Sequence, residues 1–129
     1  MIKAHIRIYT KADYRLLVGF RNEQTGDPLD LDSQFSQHEF RLYRDYVPAD
    51  YASFVVEPSG ANNNELRLFL DKEQVGELFD VGRAMRLELI STGLNGRHYP
   101  LIPGLIINAT DVWSDTSGRV ETFTIEVSV

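Results

Sequence analysis

Apolar and polar residues alternate with a period of two along most of this chain, the pattern of strands that bury one face and turn the other to water. Ile2, Ala4, Ile6 and Ile8 share one face of the first such segment, with Lys3, His5, Arg7 and Tyr9 on the other. Tyr14, Leu16, Val18 and Phe20 repeat the device, while Arg15 and Arg21 point away. Further strands are predicted around Phe40 to Tyr43, over Tyr51 to Val56, at Leu66, Leu68 and Leu70, and over Arg83 to Ile90. Others follow over Arg97 to Leu101, at Leu105 to Ile107, and over Val120 to Val127, where Phe123, Ile125 and Val127 share a face. Pro100 and Pro103 cannot donate ladder hydrogen bonds, so they predict an edge, a bulge or a break between two short strands.

Turn chemistry separates these segments. Gly26-Asp27-Pro28, Thr92 to Gly96 and Ser114 to Gly118 read as turns, and Pro58 to Asn64 as an exposed, flexible loop joining two antiparallel strands. One stretch has helical spacing. Asp71 caps it, Gln74 completes a capping box three residues on, and Val75, Leu78 and Phe79 fall on one face. Gly76 and the sequence Asp80-Val81-Gly82 limit it to about two turns. Eight or nine short strands with one short helix predict an all-β sandwich or barrel, in a single domain spanning 1–129.

Composition narrows the chemistry. Of 129 residues, 43% are hydrophobic and 25% charged, enough apolar material for one domain to fold without cross-links. Thirteen Lys and Arg against nineteen Asp and Glu leave a formal charge of −6, a field that opposes duplex phosphate, so nucleic acid is not an expected partner. The absence of cysteine removes disulfides, thiolate nucleophiles and Cys-based metal centres, leaving His5, His38 and His98 as soft ligands. No apolar run approaches the roughly 18 to 20 residues of a membrane-spanning helix. The alternating N-terminus has no signal-peptide core, so neither membrane nor secretion is expected, and Asn108-Ala109-Thr110 reads as a chance sequon.

Several short motifs occur in a telling order: Asp13-Tyr14, Pro28-Leu29-Asp30-Leu31, Phe40-Arg41-Leu42-Tyr43-Arg44, Leu66 to Asp71, Gly82, Leu87-Glu88-Leu89, Asn95-Gly96-Arg97 and Gly104. Together they resemble the immunoglobulin-like module at the N-terminus of phage baseplate upper proteins and in related small phage tail and virion proteins. The resemblance covers residues 13–112. It departs at Arg83-Ala84-Met85-Arg86, where that family carries Tyr-Asp or Tyr-hydrophobic, and the family usually stops near Thr110-Asp111. Segments 1–9 and 120–129 are therefore additional terminal strands. The resemblance implies an antiparallel immunoglobulin-like β-sandwich with one short helix. It also implies a non-enzymatic virion structural protein of the tail, baseplate or capsid, whose partners are other virion proteins or further copies of itself. Such a protein would sit in the virion and, during assembly, in the host cytoplasm.

Few residues gather into candidate chemistry. Asp27, Asp30 and Asp32 could offer oxygen ligands to calcium, but they lack the central Gly and the Glu at the twelfth position of an EF-hand loop, and they read as turn formers. Asp111, Ser114, Asp115 and Ser117 read as a polar turn. The three histidines are scattered and are expected at the surface or an interface rather than as general bases. With no nucleophile elbow, Walker loop or dinucleotide fingerprint, no catalytic residue, cofactor or metal site is expected. Two groups of side chains are candidates for partner contact. Ile2, Ala4, Ile6 and Ile8 with Phe123, Ile125 and Val127 belong to the terminal strands, which either dock onto a neighbour or complete the sheet. Tyr43, Tyr46 and Tyr51 surround Arg44, Asp45 and Asp50, a composition that suits a protein interface, a glycan surface or a strand edge packed on its own loop. Docking within a virion is the first expectation. A carbohydrate-binding or host-adhesion module and a phage-encoded inhibitor of a host protein are the alternatives.

Overall fold

The computed structural model describes residues 5–44, 51–113 and 119–128. Among them are eight strands and one α-helix: β1 (His5–Tyr9), β2 (Tyr14–Asn22), β3 (Phe35–Tyr43), β4 (Tyr51–Val56), β5 (Glu65–Leu70), α1 (Lys72–Leu78), β6 (Ala84–Gly93), β7 (His98–Thr110) and β8 (Val120–Val127). A single 3-10 turn, Leu31–Ser33, precedes β3. The strands form two sheets, β1-β7-β6-β3-β4 and β5-β2-β8, packed as a sandwich. The pairs β2–β5 and β4-β3-β6-β7 reproduce the B–E and C′-C-F-G neighbours of the immunoglobulin arrangement, with α1 in the connection between the two layers.

Alternation explains the core. The inward positions of β2 are Tyr14, Leu16, Val18 and Phe20, all nearly inaccessible, and they meet Phe40, Leu42, Leu87 and Leu89 of the facing sheet in one apolar cluster. Burying a side chain of this size contributes about 1.5–3 kcal/mol. The five-stranded sheet is wider than its partner, and α1 supplies Val75, with Phe79 just after it, to the same cluster as Ile6, Ile8, Met85 and Ile107. The capping box predicted for α1 is formed: Asp71 accepts from the Gln74 N–H at 2.8 Å and the Gln74 side chain accepts from the Asp71 N–H at 3.0 Å. Asp13 adds a third anchor by accepting from the Lys72 N–H at 2.8 Å.

Four expectations change. First, the loop after β4 does not join a hairpin. It carries the chain from one sheet to the other, and it is tied down, because the Leu31 N–H donates to the Asn63 carbonyl and the Asn63 side chain donates to Asp32. Asn63 sits at φ 51°, a left-handed conformation that asparagine tolerates. Second, β7 is one strand rather than two. It runs through both prolines, and its ladder with β6 is accommodated by two register shifts near Leu89. Third, the sheets are antiparallel except at the two terminal strands. β1 lies parallel to β7 and β8 parallel to β2. Both are reached by connections that cross between sheets, so no hairpin forces an antiparallel entry. Fourth, His38 lies inside the sandwich at 2% exposure. Its Nδ1 and the buried Ser91 hydroxyl are hydrogen-bonded at 2.7 Å across the β3–β6 ladder.

Candidate docking surfaces

The sequence-predicted partner residues fall into three conditions. Ile2, Ala4 and Tyr46 lie outside the described residues. Ile6, Ile8 and Tyr43 are buried and are not available to a partner. Tyr51, Phe123, Ile125 and Val127 remain accessible, the last three only in part because they also pack on the core.

Burial of Ile6 and Ile8 follows from the parallel entry of β1. That pairing, His5↔Ile106 through Tyr9↔Thr110, puts their face over the same layer as Ile107 and Ala109. What β1 presents outward is Arg7 and an edge with no partner among the described residues. Tyr43 is covered for a different reason. Arg86, Tyr43 and Tyr51 form one cross-strand row on the outer face of the five-stranded sheet. The Arg86 guanidinium lies 5.1 Å from the centre of the Tyr43 ring, and the Tyr43 and Tyr51 rings are 5.4 Å apart. Arg86 reaches this position by lying across Gly104, where a β-carbon would come within 3.0 Å of it.

Next to that row, Arg41 sits 5.1 Å from the centre of the Tyr51 ring and donates to Glu39 at 2.9 Å, while the Ser53 hydroxyl donates to the same carboxylate at 2.5 Å. The Arg41 guanidinium and the Ser53 hydroxyl hold the Glu39 carboxyl below the usual carboxylate range. Arg86 is likewise bonded to Glu88. On this face the Tyr43 and Tyr51 rings carry guanidinium groups, and Arg41 and Arg86 are bonded to Glu39 and Glu88.

The outer face of the three-stranded sheet is different. A groove of about 510 Å³ lies over Leu17, Phe69 and Val120 and is bordered by Arg15 and Arg67. A second hollow of about 280 Å³ shares Leu17 and Thr122 with it and continues past Gly19 to Pro28. Phe69 is 52% exposed and Val120 51%. Arg15 stacks over the Phe69 ring at 5.1 Å, and Arg67 and Arg21 are held by Glu65 and Glu126 at 3.1 and 2.6 Å. The sequence reading missed this face. Its signal was a break in phase: Leu17 and Phe69 are large apolar residues at positions where the alternation calls for polar ones, and they follow Leu16 and Leu68 directly.

The groove ends at β8, the last strand of its sheet. β8 pairs with β2 in unbroken register from Arg15↔Val120 to Asn22↔Val127. Among the described residues nothing pairs with its other edge. Its core-facing side chains are partly buried, whereas Leu16, Val18 and Phe20 beside them are at most 1% exposed. Trp113, 61% exposed, leads into the crossover before β8 and packs edge-on against Tyr9 at 5.3 Å.

Other sequence candidates have structural work. Asp30 caps the 3-10 turn by accepting from the Asp32 N–H at 3.0 Å, and Asp32 accepts from Asn63 at 3.1 Å. Among the described residues no three acidic or histidine side chains gather at a spacing that could hold a metal ion. His98 is exposed and shares a hydrogen bond with Thr92 at 3.1 Å. The buried His38 is held in the neutral form, because burial lowers its pKa more strongly than the nearby Asp32 carboxylate raises it. No helix among the described residues is long and apolar enough to cross a membrane. No protein-family model matches the chain, and no curated protein matches it.

Proposed function

We propose that this chain is a non-enzymatic structural module that docks onto other subunits of a bacteriophage particle, and that the outer edge of β8 with the groove beside it is the docking surface. The observation that carries the docking reading is β8 itself: an edge strand with no second partner among the described residues, bordered by an apolar groove, whose inward residues Phe123, Ile125 and Val127 are only partly buried. An added strand would satisfy the free backbone groups, and side chains set in the groove would supply selectivity. The phage assignment rests on the ordered motifs between Asp13 and Val112. A glycan platform at the tyrosines has less support, since the Tyr43 ring is already covered by Arg86 and Tyr51.

Thr122→Pro tests this reading. The Val127 carbonyl accepts from the Glu23 N–H at 2.9 Å, so odd-numbered residues of β8 turn their backbone toward β2 and even-numbered ones turn it outward. Proline at 122 therefore removes an outward N–H and leaves the ladder with β2 intact. Competed against the unaltered chain during particle assembly, the variant should be largely lost from purified particles while melting at nearly the same temperature. Equal incorporation of the two chains, or failure to find either in particles, overturns the reading.

A further inference from the structure

The free edge of β8 is complementary to itself, and we propose that its partner is a second copy of the same strand, paired antiparallel about a two-fold axis at Thr124. This deepens the docking reading above and rests on it. The first argument is charge. β8 carries two glutamates, Glu121 and Glu126, and no lysine, arginine or proline. Parallel pairing of two such edges would set even-numbered residues of one copy against odd-numbered residues of the other, which puts the groove face of one copy beside the core face of the other. An antiparallel joint about Thr124 sets Glu126 against Thr122 of the other copy, a hydroxyl able to donate to it, and Glu121 against Val127. No two carboxylates then face each other.

The second argument is phase. The outward-turned backbone groups belong to Val120, Thr122, Thr124 and Glu126, so a joint must pair even-numbered residues with even-numbered residues. That requirement keeps both groove faces on one side of the joined sheet and both core faces on the other. The register about Thr124 meets it and uses the whole strand. It also places Phe123 opposite the smaller Ile125 of the other copy, on the face where both are partly buried against the core.

The third argument is coverage. A bare strand joint is a small contact beside the roughly 1,200 Å² or more that stable interfaces bury. Here the uncovered parts of Phe123, Ile125 and Val127 lie beneath the joint, and Val120 and Thr122, which line the groove, lie above it. Edge strands that avoid self-association commonly carry a proline, a lysine or a bulge. β8 has none of these within its ladder with β2. Antiparallel pairing about a two-fold closes on itself, giving a dimer with a continuous six-stranded outer sheet rather than a growing fibre.

Because the chain has no cysteine, a single substitution reports the geometry. In the proposed joint the two Thr124 residues form a hydrogen-bonded pair with Cα atoms about 5.5 Å apart, within the range a disulfide spans. Purified Thr124→Cys should convert to a cross-linked dimer under mild oxidation, whereas Ser53→Cys on the outer face of the other sheet should form no cross-link. Light scattering on the unaltered protein at high micromolar concentration should give twice the chain mass, and Thr122→Pro should halve it. A monomer at that concentration, or a dimer in which Thr124→Cys does not cross-link, overturns the proposal. If the purified protein is a monomer yet Thr122→Pro still drops out of particles, β8 docks onto a different subunit and the broader reading stands without the self-pairing.

Discussion

The five-stranded sheet and the three-stranded sheet are built from the same alternating sequence pattern, yet they finish their surfaces differently. On the first, Arg86 and Arg41 lie over Tyr43 and Tyr51, and Glu39 and Glu88 hold the guanidinium groups in turn. On the second, Arg15 likewise lies over Phe69, but Phe69 and Val120 are still about half exposed, and they line a groove with Leu17 beside the edge strand β8. The difference lies in which residues occupy the outward phase. Paired aromatic and charged residues close a surface through cross-strand contacts. Where apolar residues such as Leu17 and Val120 stand beside the paired ones, a groove is left open to solvent.

The comparison is broken most severely by truncating equivalent inward side chains in the two sheets. Leu89→Ala, at a fully buried position of β6, should cost about 2–5 kcal/mol in urea denaturation. Ile125→Ala on β8, partly buried in the isolated chain, should cost about 1 kcal/mol. Similar losses at both sites would show that β8 is as much a part of the core as β6.

A smaller effect should follow acidification. The folded state holds His38 neutral, with its pKa below the ordinary value of about 6.5. Between that value and the lower folded one, the unfolded chain binds the extra proton and the folded chain does not. Stability therefore falls as the pH drops below about 6.5 and levels off beneath the folded pKa. Denaturation at pH 7.5 and 5.5 should show this fall in the unaltered chain and lose it in His38→Gln.

The smallest effect belongs to the closed outer face. The folded-state pKa of Glu39 is depressed, so its contribution is full above the ordinary carboxylate range and is lost as the pH falls through the folded value. Glu39→Gln should flatten the stability profile below about pH 4.3 and leave the His38 transition unchanged.

Particular residues show what was legible in the sequence. The inward phase of β2, β5 and β6 and the capping box at Asp71 were readable because they depend on local spacing alone. Partnership between sheets was not. Nothing local says that the residues after Val56 carry the chain across the sandwich, or that β1 and β8 enter parallel. For that reason Ile6 and Ile8 stayed open in the sequence between docking and completing the sheet, and in the fold they are core. His38 looked like a strand-start residue at the surface because its hydrogen-bond partner, Ser91, is 53 positions away. The groove beside β8 was marked in the sequence by the out-of-phase Leu17 and Phe69, yet their alignment over one hollow depends on the β2–β5 register, which pairs Leu17 with Arg67 and Arg15 with Phe69.

Amide hydrogen exchange read residue by residue along β8, in dilute solution and after assembly, tests the claim that this edge is the docking surface most directly. In dilute solution the N–H groups of Thr122, Thr124 and Glu126 should exchange quickly, while those of Phe123, Ile125 and Val127, turned toward β2, exchange slowly. On assembly the first set should become as protected as the second. Fast exchange at Thr122, Thr124 and Glu126 that persists in the assembled state would contradict the account.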